Sequence, residues 1–226
     1  MARRERMYLS GYVYHVVQRG NNRQPVFFDP SDYIRYQEYL QDALLRYGVC
    51  CHAFVQMTNH VHLLLSPCNP EGISRVMSLL GNRYVQFFNH RYERTGTLWE
   101  GRHRSCAIAN DRYFWAAQRY IELNPVRAKM VDHPDAYYWS SYGCNALEMS
   151  SELVTPHGLY MDLSRAVAGR CRAYRAIFLE NSYEAEFEEI RRATRSGTTL
   201  GGAIPSLKSP LSDAHSVSEC PPQTYH

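Results

Sequence analysis

The stretch NHVHLLL, residues 59–65, sets two histidines two positions apart in an otherwise apolar run. Side chains at i and i+2 of a strand point the same way. His60, His62 and Leu64 therefore share one face, and Val61, Leu63 and Leu65 the other. The apolar set suits packing beneath helices. The other set places two imidazoles side by side on what is expected to be the open face of a sheet. Two neutral imidazoles can hold one divalent metal, with a carboxylate, an amide or water in the remaining positions. The same spacing also arises as two hydrogen-bonded histidines near a strand edge.

A second group comes from RYIELNPVRAKMV, residues 119–131. Tyr120 and Asn124 are four apart, one above the other on a helix face. Pro125 disfavours helix for the residue before it and suits the first position of the next helix. Asn124 thus has two readings. It is the N-cap of a new helix through PVRAKMV, or its amide oxygen is a third ligand to a hard cation such as magnesium or manganese. Tyr120, one turn before that ligand, is a candidate nucleophile. Cys50, Cys51 and His52 do not make a zinc site, because adjacent strand residues point to opposite faces. The seven cysteines include no C-x-x-C pair, so reduced, packed thiols are expected.

These residues need elements to position them. YVYHVVQRG (12–20) is β-branched and aromatic and ends in Gly20, a strand signature. SDYIRYQEYLQDALLRYG (31–48) has the helical period, with Ser31 or Asp32 to cap it and Gly48 to end it. VCCHAFVQM (49–57) and HVHLLLS (60–66) are strands joined tightly through Thr58 and Asn59. Residues 72–96 form a long amphipathic helix, SCAIAN (105–110) a fourth strand, and residues 111–124 a helix capped by Asp111. The order β-α-β-β-α-β is that of a ferredoxin-like α+β fold, an antiparallel sheet with helices mainly on one face. The sequence divides into a domain over 1–142, a helical C-terminal extension over 143–195, and a Gly-, Ser- and Pro-rich tail over 196–226 expected to be disordered.

Residues 1–142 carry 17 Lys and Arg against 12 Asp and Glu, and only Lys129 and Lys208 are lysines. Arginine suits phosphate, because its planar fork donates two parallel hydrogen bonds. A bias in codon usage produces the same excess. Eighteen tyrosines, interleaved with arginine in NRYVQFFNHRYERTG, fit single-stranded nucleic acid, where bases stack and phosphates pair. No run of about 18 apolar residues exists, so no membrane span is expected. The basic start lacks the apolar core of a signal peptide, which makes a cytoplasmic protein the expectation.

MTNHVHLLL, RTGTLWEGRHRS and RYIELNPVRA, in this order, resemble the REP-associated tyrosine transposases. These are domesticated relatives of the IS200-like single-strand transposases, which carry the HUH histidine motif. VQRGNNRQPVFFD upstream and WSSY (139–142) fit as well. The resemblance covers roughly residues 8–142 and weakens towards 194; TTLGGAIPSLKSP departs from the family's usual continuation. It implies a ferredoxin-like HUH nuclease domain acting as a monomer. His60 and His62 match the histidine motif, Tyr120 the nucleophile, and Asn124 the polar residue completing a Mg2+ or Mn2+ site. The implied substrate is single-stranded DNA with a palindromic hairpin. Attack by Tyr120 would leave a 5′-phosphotyrosine link and free a 3′-hydroxyl, with rejoining by a second hydroxyl.

Arg102, His103 and Arg104 are the first candidates for DNA contacts, followed by Arg19, Arg23 and Arg83. Trp99 is a candidate to stack on an unpaired base or to fill the core. Two other readings stay open. One is a hairpin-binding protein that no longer cleaves. The other is a metal-dependent phosphoesterase using activated water, in which Tyr120→Phe would stay active.

Overall fold

Alternating apolar residues in three segments make strands that pair edge to edge. They are β1 (Val13–Arg19), β2 (Val49–Met57) and β3 (His60–Pro67), and β4 (Arg104–Ile108) completes the sheet. The computed structural model describes residues 8–179 and 183–204. The strand order is β2-β3-β1-β4, and every neighbouring pair is antiparallel. Helices α1 (Pro30–Tyr47) and α2 (Gly72–Arg91) follow β1 and β3, which is the expected ferredoxin-like order. After β4 come α3 (Asp111–Glu122) and α4 (Asn124–Arg127). Helices α5 (Tyr142–Ala146), α6 (Gly158–Asp162), α7 (Val167–Ile177) and α8 (Glu184–Ser196) come next.

Local chemistry sets the helix ends, with small shifts from expectation. Asp29, not Ser31 or Asp32, is the N-cap of α1. Its carboxylate accepts from Ser31 N, while Asp32 Oδ2 accepts from the Asp29 N–H, a reciprocal capping box. Pro30 sits just inside that start, and Gly48 closes the helix in the left-handed region at φ 59°. Helix α2 stops at Arg91 rather than reaching residue 96. Asn110, not Asp111, caps α3, accepting from Tyr113 N.

Val61, Leu63 and Leu65 are fully buried beneath α1 and α2, against Tyr36, Leu40 and Tyr84. The opposite face is not open. Val55, Leu64 and Cys106 on that face are themselves apolar and buried, and they pack against Phe114, Ala117 and Ile121 of α3 and Phe187 and Ile190 of α8. Leaving such a surface in water is unfavourable, so the amphipathic face of α8 covers it. The histidine pair therefore lies between the sheet and a second helical layer.

Helix α8 ends at Gly197, φ 72°, and the chain returns to the sheet. Leu200 is buried and bridges Ile108 in parallel, exchanging backbone bonds with Ala107 and Ala109 of 2.8 and 2.9 Å. The first residues of the expected tail thus extend the β4 edge. Its remainder, 205–226, lies outside the described residues. Cys51, Cys106 and Cys171 are buried free thiols. No described helix is long and apolar enough to cross a membrane.

Candidate active site

Strand register places the histidines. His60 lies opposite Arg19 of β1 and Met57 of β2, and His62 opposite Val17 and Val55. The two rings stand edge to face with centroids 5.0 Å apart. Each has its Nδ1 engaged. His60 Nδ1 lies 2.6 Å from Asn59 Oδ1, an acceptor, so it donates. His62 Nδ1 lies 2.8 Å from His15 Nε2, and His15 Nδ1 lies 2.9 Å from Thr194 Oγ1. With each Nδ1–H donating along that row, every bond is satisfied, and Nε2 of His60 and of His62 carries the lone pair. Burial holds the His62 imidazole well below its usual range, with the His60, His15 and Arg19 charges adding to the effect. Burial, then Arg19, brings His60 down to about 4. Both are neutral at pH 7, as metal ligands must be.

Asn124 is not an N-cap. Leu123 holds that position in a helical conformation, and α4 starts at Asn124 itself. The Asn124 amide nitrogen donates to the Tyr120 carbonyl at 2.6 Å, which leaves the amide oxygen to offer. Among the described residues, no three His, Cys, Asp or Glu side chains are grouped to hold a metal. The two imidazoles and the Asn124 amide oxygen are all neutral groups of kinds that bind divalent cations.

Helix α3 brings Tyr120 over His62 and His15. Its ring meets His62 edge-on at 5.5 Å, His15 at 5.6 Å and Phe187 at 5.3 Å. The Arg127 guanidinium lies over the ring, 5.4 Å from its centroid. Burial pushes the phenol pKa up; a hydrogen bond and the charge of Arg191, with Arg19, pull it back in part. A cavity of about 220 Å³ opens where these groups meet. His15, His62 and Tyr120 share its wall with Arg19, Arg102, Arg104, Arg191 and Arg195, and among the described residues Glu100 is its one carboxylate. Five guanidinium groups, of which Arg104 pairs with Glu100, beside a buried phenol and two imidazoles make an attractor for a phosphodiester.

The family described as "Transposase IS200 like" matches this chain over residues 8–124, more than half its length. The chain belongs to the IS200-like transposase family. One solved structure of similar fold is a REP-associated tyrosine transposase bound to a REP hairpin. It is 17% identical, with a TM-score of 0.53, over 69% of this chain and 92% of the other. A putative transposase from Deinococcus radiodurans is 21% identical, with a TM-score of 0.36, over 57% of this chain and 92% of the other. A tRNA(His) guanylyltransferase from Saccharomyces cerevisiae is 10% identical, with a TM-score of 0.41, over 92% and 85%. No curated protein sequence matches significantly.

In this transposase the residues singled out for DNA contact separate into two groups. Arg19, Arg102 and Arg104 reach the cavity. Arg83 does not: it pairs with Asp42 and lies over Tyr39, between α1 and α2. Arg23 is exposed in the turn after β1, where its carbonyl accepts from Asn59. His103 is buried, 2.7 Å from the Tyr8 hydroxyl. Trp99 is buried with its ring near Tyr36 and Tyr84, so its faces serve the core. His60 and Asn124 stand outside the cavity wall.

Four residues of the site went unread in the sequence. His15 carries the same signal as His60 and His62, a polar residue in an apolar strand, in YVYHVVQRG. Arg191, Thr194 and Arg195 carry none, because only the docking of α8 brings them to the sheet.

Proposed function

We propose that this transposase is a divalent-metal-dependent tyrosine nuclease and strand transferase for single-stranded DNA. The observation that carries the reading is the buried Tyr120 ring against His62, at the floor of an arginine-lined cavity. Buried tyrosines usually fill a core. This one packs on Phe187 with one part of its ring and also faces His62 and a wall of arginines.

In the proposed reaction, Arg19, Arg102 and Arg104 hold the phosphates either side of the scissile bond. The Tyr120 oxygen attacks phosphorus in line, the 3′-oxygen leaves with a proton, and a 5′-phosphotyrosine remains. The link conserves the bond energy, so a second 3′-hydroxyl reseals the strand. Arg191 lowers the cost of the phenolate. His60, His62 and Asn124 would hold Mg2+ or Mn2+, which when bound supplies Lewis-acid polarisation of the scissile phosphate. The substrate to try first is a palindromic hairpin with single-stranded flanks, because the neighbour of like fold was solved with a REP hairpin.

The test is a denaturing gel of the protein with labelled hairpin strands from its own genome, with Mg2+ or Mn2+, beside Tyr120→Phe. We expect a protease-sensitive covalent band that needs the metal and disappears in Tyr120→Phe. Cleavage surviving in that variant would replace the reading with water-based hydrolysis. Tight binding without either product would leave a hairpin-binding protein.

A further inference from the structure

A second recess lies on the other face of the sheet, between α2 and the loop over residues 97–103. Gln18, Gly81 and Trp99 form its floor, with Asn82, Gln86 and Arg102 around them. Gln18 and Trp99 are each only 6% exposed. The Gln18 side-chain oxygen and the Trp99 indole nitrogen are both buried without a hydrogen-bond partner. An unmade bond of this kind costs the full desolvation of the group, so such atoms in a native fold call for an explanation. One acceptor and one donor left unpartnered beneath the same recess are of the kinds that a nucleobase edge, which presents donors and acceptors side by side, would satisfy.

Gly81 supports this. It sits inside α2, where glycine is among the poorest helix formers. A Cβ at this position would stand 3.7 Å from Gln18 Nε2 and 4.0 Å from Trp99 Nε1. These are ordinary contacts, so alanine would fit. It would also stand against the Gln18 amide and the Trp99 indole nitrogen, and glycine keeps that approach to them clear. The loop is held in place by backbone pairing with the end of β1: Gly20 bridges Trp99, and Glu100 N donates to Arg19 O at 2.9 Å. The Trp99 ring is committed to the core, but its N–H edge is not.

Gly101 and Arg102 line both this recess and the Tyr120 cavity. A strand whose scissile phosphate lies in the cavity reaches the recess by passing round that edge. A sheet layer is ~10 Å thick, and each nucleotide spans roughly 3.4 Å or more. We infer that the Gln18–Trp99 recess reads one unpaired base within about three nucleotides of the cut, the Trp99 N–H donating to the base and the Gln18 Oε1 accepting from it. This rests on the reading of Tyr120 as a single-strand nuclease.

The test reads binding and chemistry separately in the same mixtures. Hairpin strands from the encoding genome carry an abasic site at each flanking position in turn. They are titrated against the full chain, Gly81→Ala, Gln18→Leu and Trp99→Phe. At one flanking position, loss of the base should weaken wild-type binding roughly tenfold. Gly81→Ala should bind the intact strand as weakly as wild type binds that abasic strand, lose nothing more on the abasic strand, and melt no lower than wild type. Additive losses at every position, or no single strand bound, would overturn the inference. A covalent adduct formed without such coupling removes the recess and leaves Tyr120 chemistry standing. Coupling without adduct does the reverse.

Discussion

Tyr120 is useful as a nucleophile only as far as its proton can be removed, and its surroundings pull in two directions. Burial favours the neutral phenol, while Arg191 and Arg19 favour the phenolate, and the balance leaves the pKa raised. Arg191→Gln removes a hydrogen bond and a charge from the phenolate side. The Tyr120 pKa should then rise further, and at neutral pH the phenolate fraction falls about tenfold for each unit of that rise. We expect adduct formation by Arg191→Gln to slow at pH 7 and to recover towards alkaline pH, its rising limb displaced upward. Rates of adduct formation from pH 6 to 10 check this. A slowed rate with an unmoved limb would mean that Arg191 binds the strand without acting on the tyrosine. The arginine was invisible in the sequence for a physical reason. It lies 71 positions after Tyr120, on a helix whose composition is acidic. The histidine pair was legible because polar groups at strand spacing interrupt an apolar pattern, and Tyr120 because it stands one helical turn before Asn124.

At the scale of elements, α3 is fixed from two sides, and the fixing explains residues that carry no chemistry. Arg119, next to Tyr120 in the chain, is buried and pairs with Glu186 of α8 at 3.0 Å. Glu122, two residues after Tyr120, is fully buried. Its carboxylate accepts from Ser141 Oγ at 2.5 Å, Asn145 Nδ2 at 2.9 Å and Tyr174 Oη at 2.7 Å. Ser141 also accepts from Phe54 N, so WSSY ties β2 to α3. These are contacts across the whole chain, which no local pattern encodes; strand alternation, by contrast, is local, and β2 runs over the residues it marks. Burial pushes Glu122 up to about 7 against the pull of its three donors. A folded pKa above the ordinary 4.5 means that the native state binds the proton more tightly than the unfolded chain. The associated stability is full below the unfolded value and is lost as pH rises through the folded one. We expect the wild type to lose on the order of 3 kcal/mol from this group between pH 4.5 and 8. Glu122→Gln keeps an acceptor for Ser141 and Asn145 and should flatten that dependence. Urea melts of both proteins at several pH values decide it.

The whole molecule depends on its C-terminal extension more than its sequence suggests. A boundary near residue 142 is natural in composition, yet the face bearing His62 and Tyr120 is closed by residues beyond that boundary. Phe187 and Ile190 are fully buried against it, Tyr174 donates to Glu122, and Leu200 extends the β4 edge. Burial of each of the two large α8 side chains stabilises by about 1.5–3 kcal/mol. Net stabilities of domains are only ~5–15 kcal/mol, so losing both, with the Glu122 bond and the Leu200 pairing, consumes much of the margin. The full chain should melt in a single transition, because the extension and the sheet share one buried layer. A chain ended after residue 142 should lose the cooperative transition and expose apolar surface that binds a hydrophobic dye. Calorimetry of the two chains reads the first, and dye fluorescence the second. A truncated chain that melts cooperatively near the wild-type temperature would make α8 an accessory. Thr194 and Arg191 would then act on the site without supporting the fold, and the family match, which ends at residue 124, would mark a unit that folds without the extension.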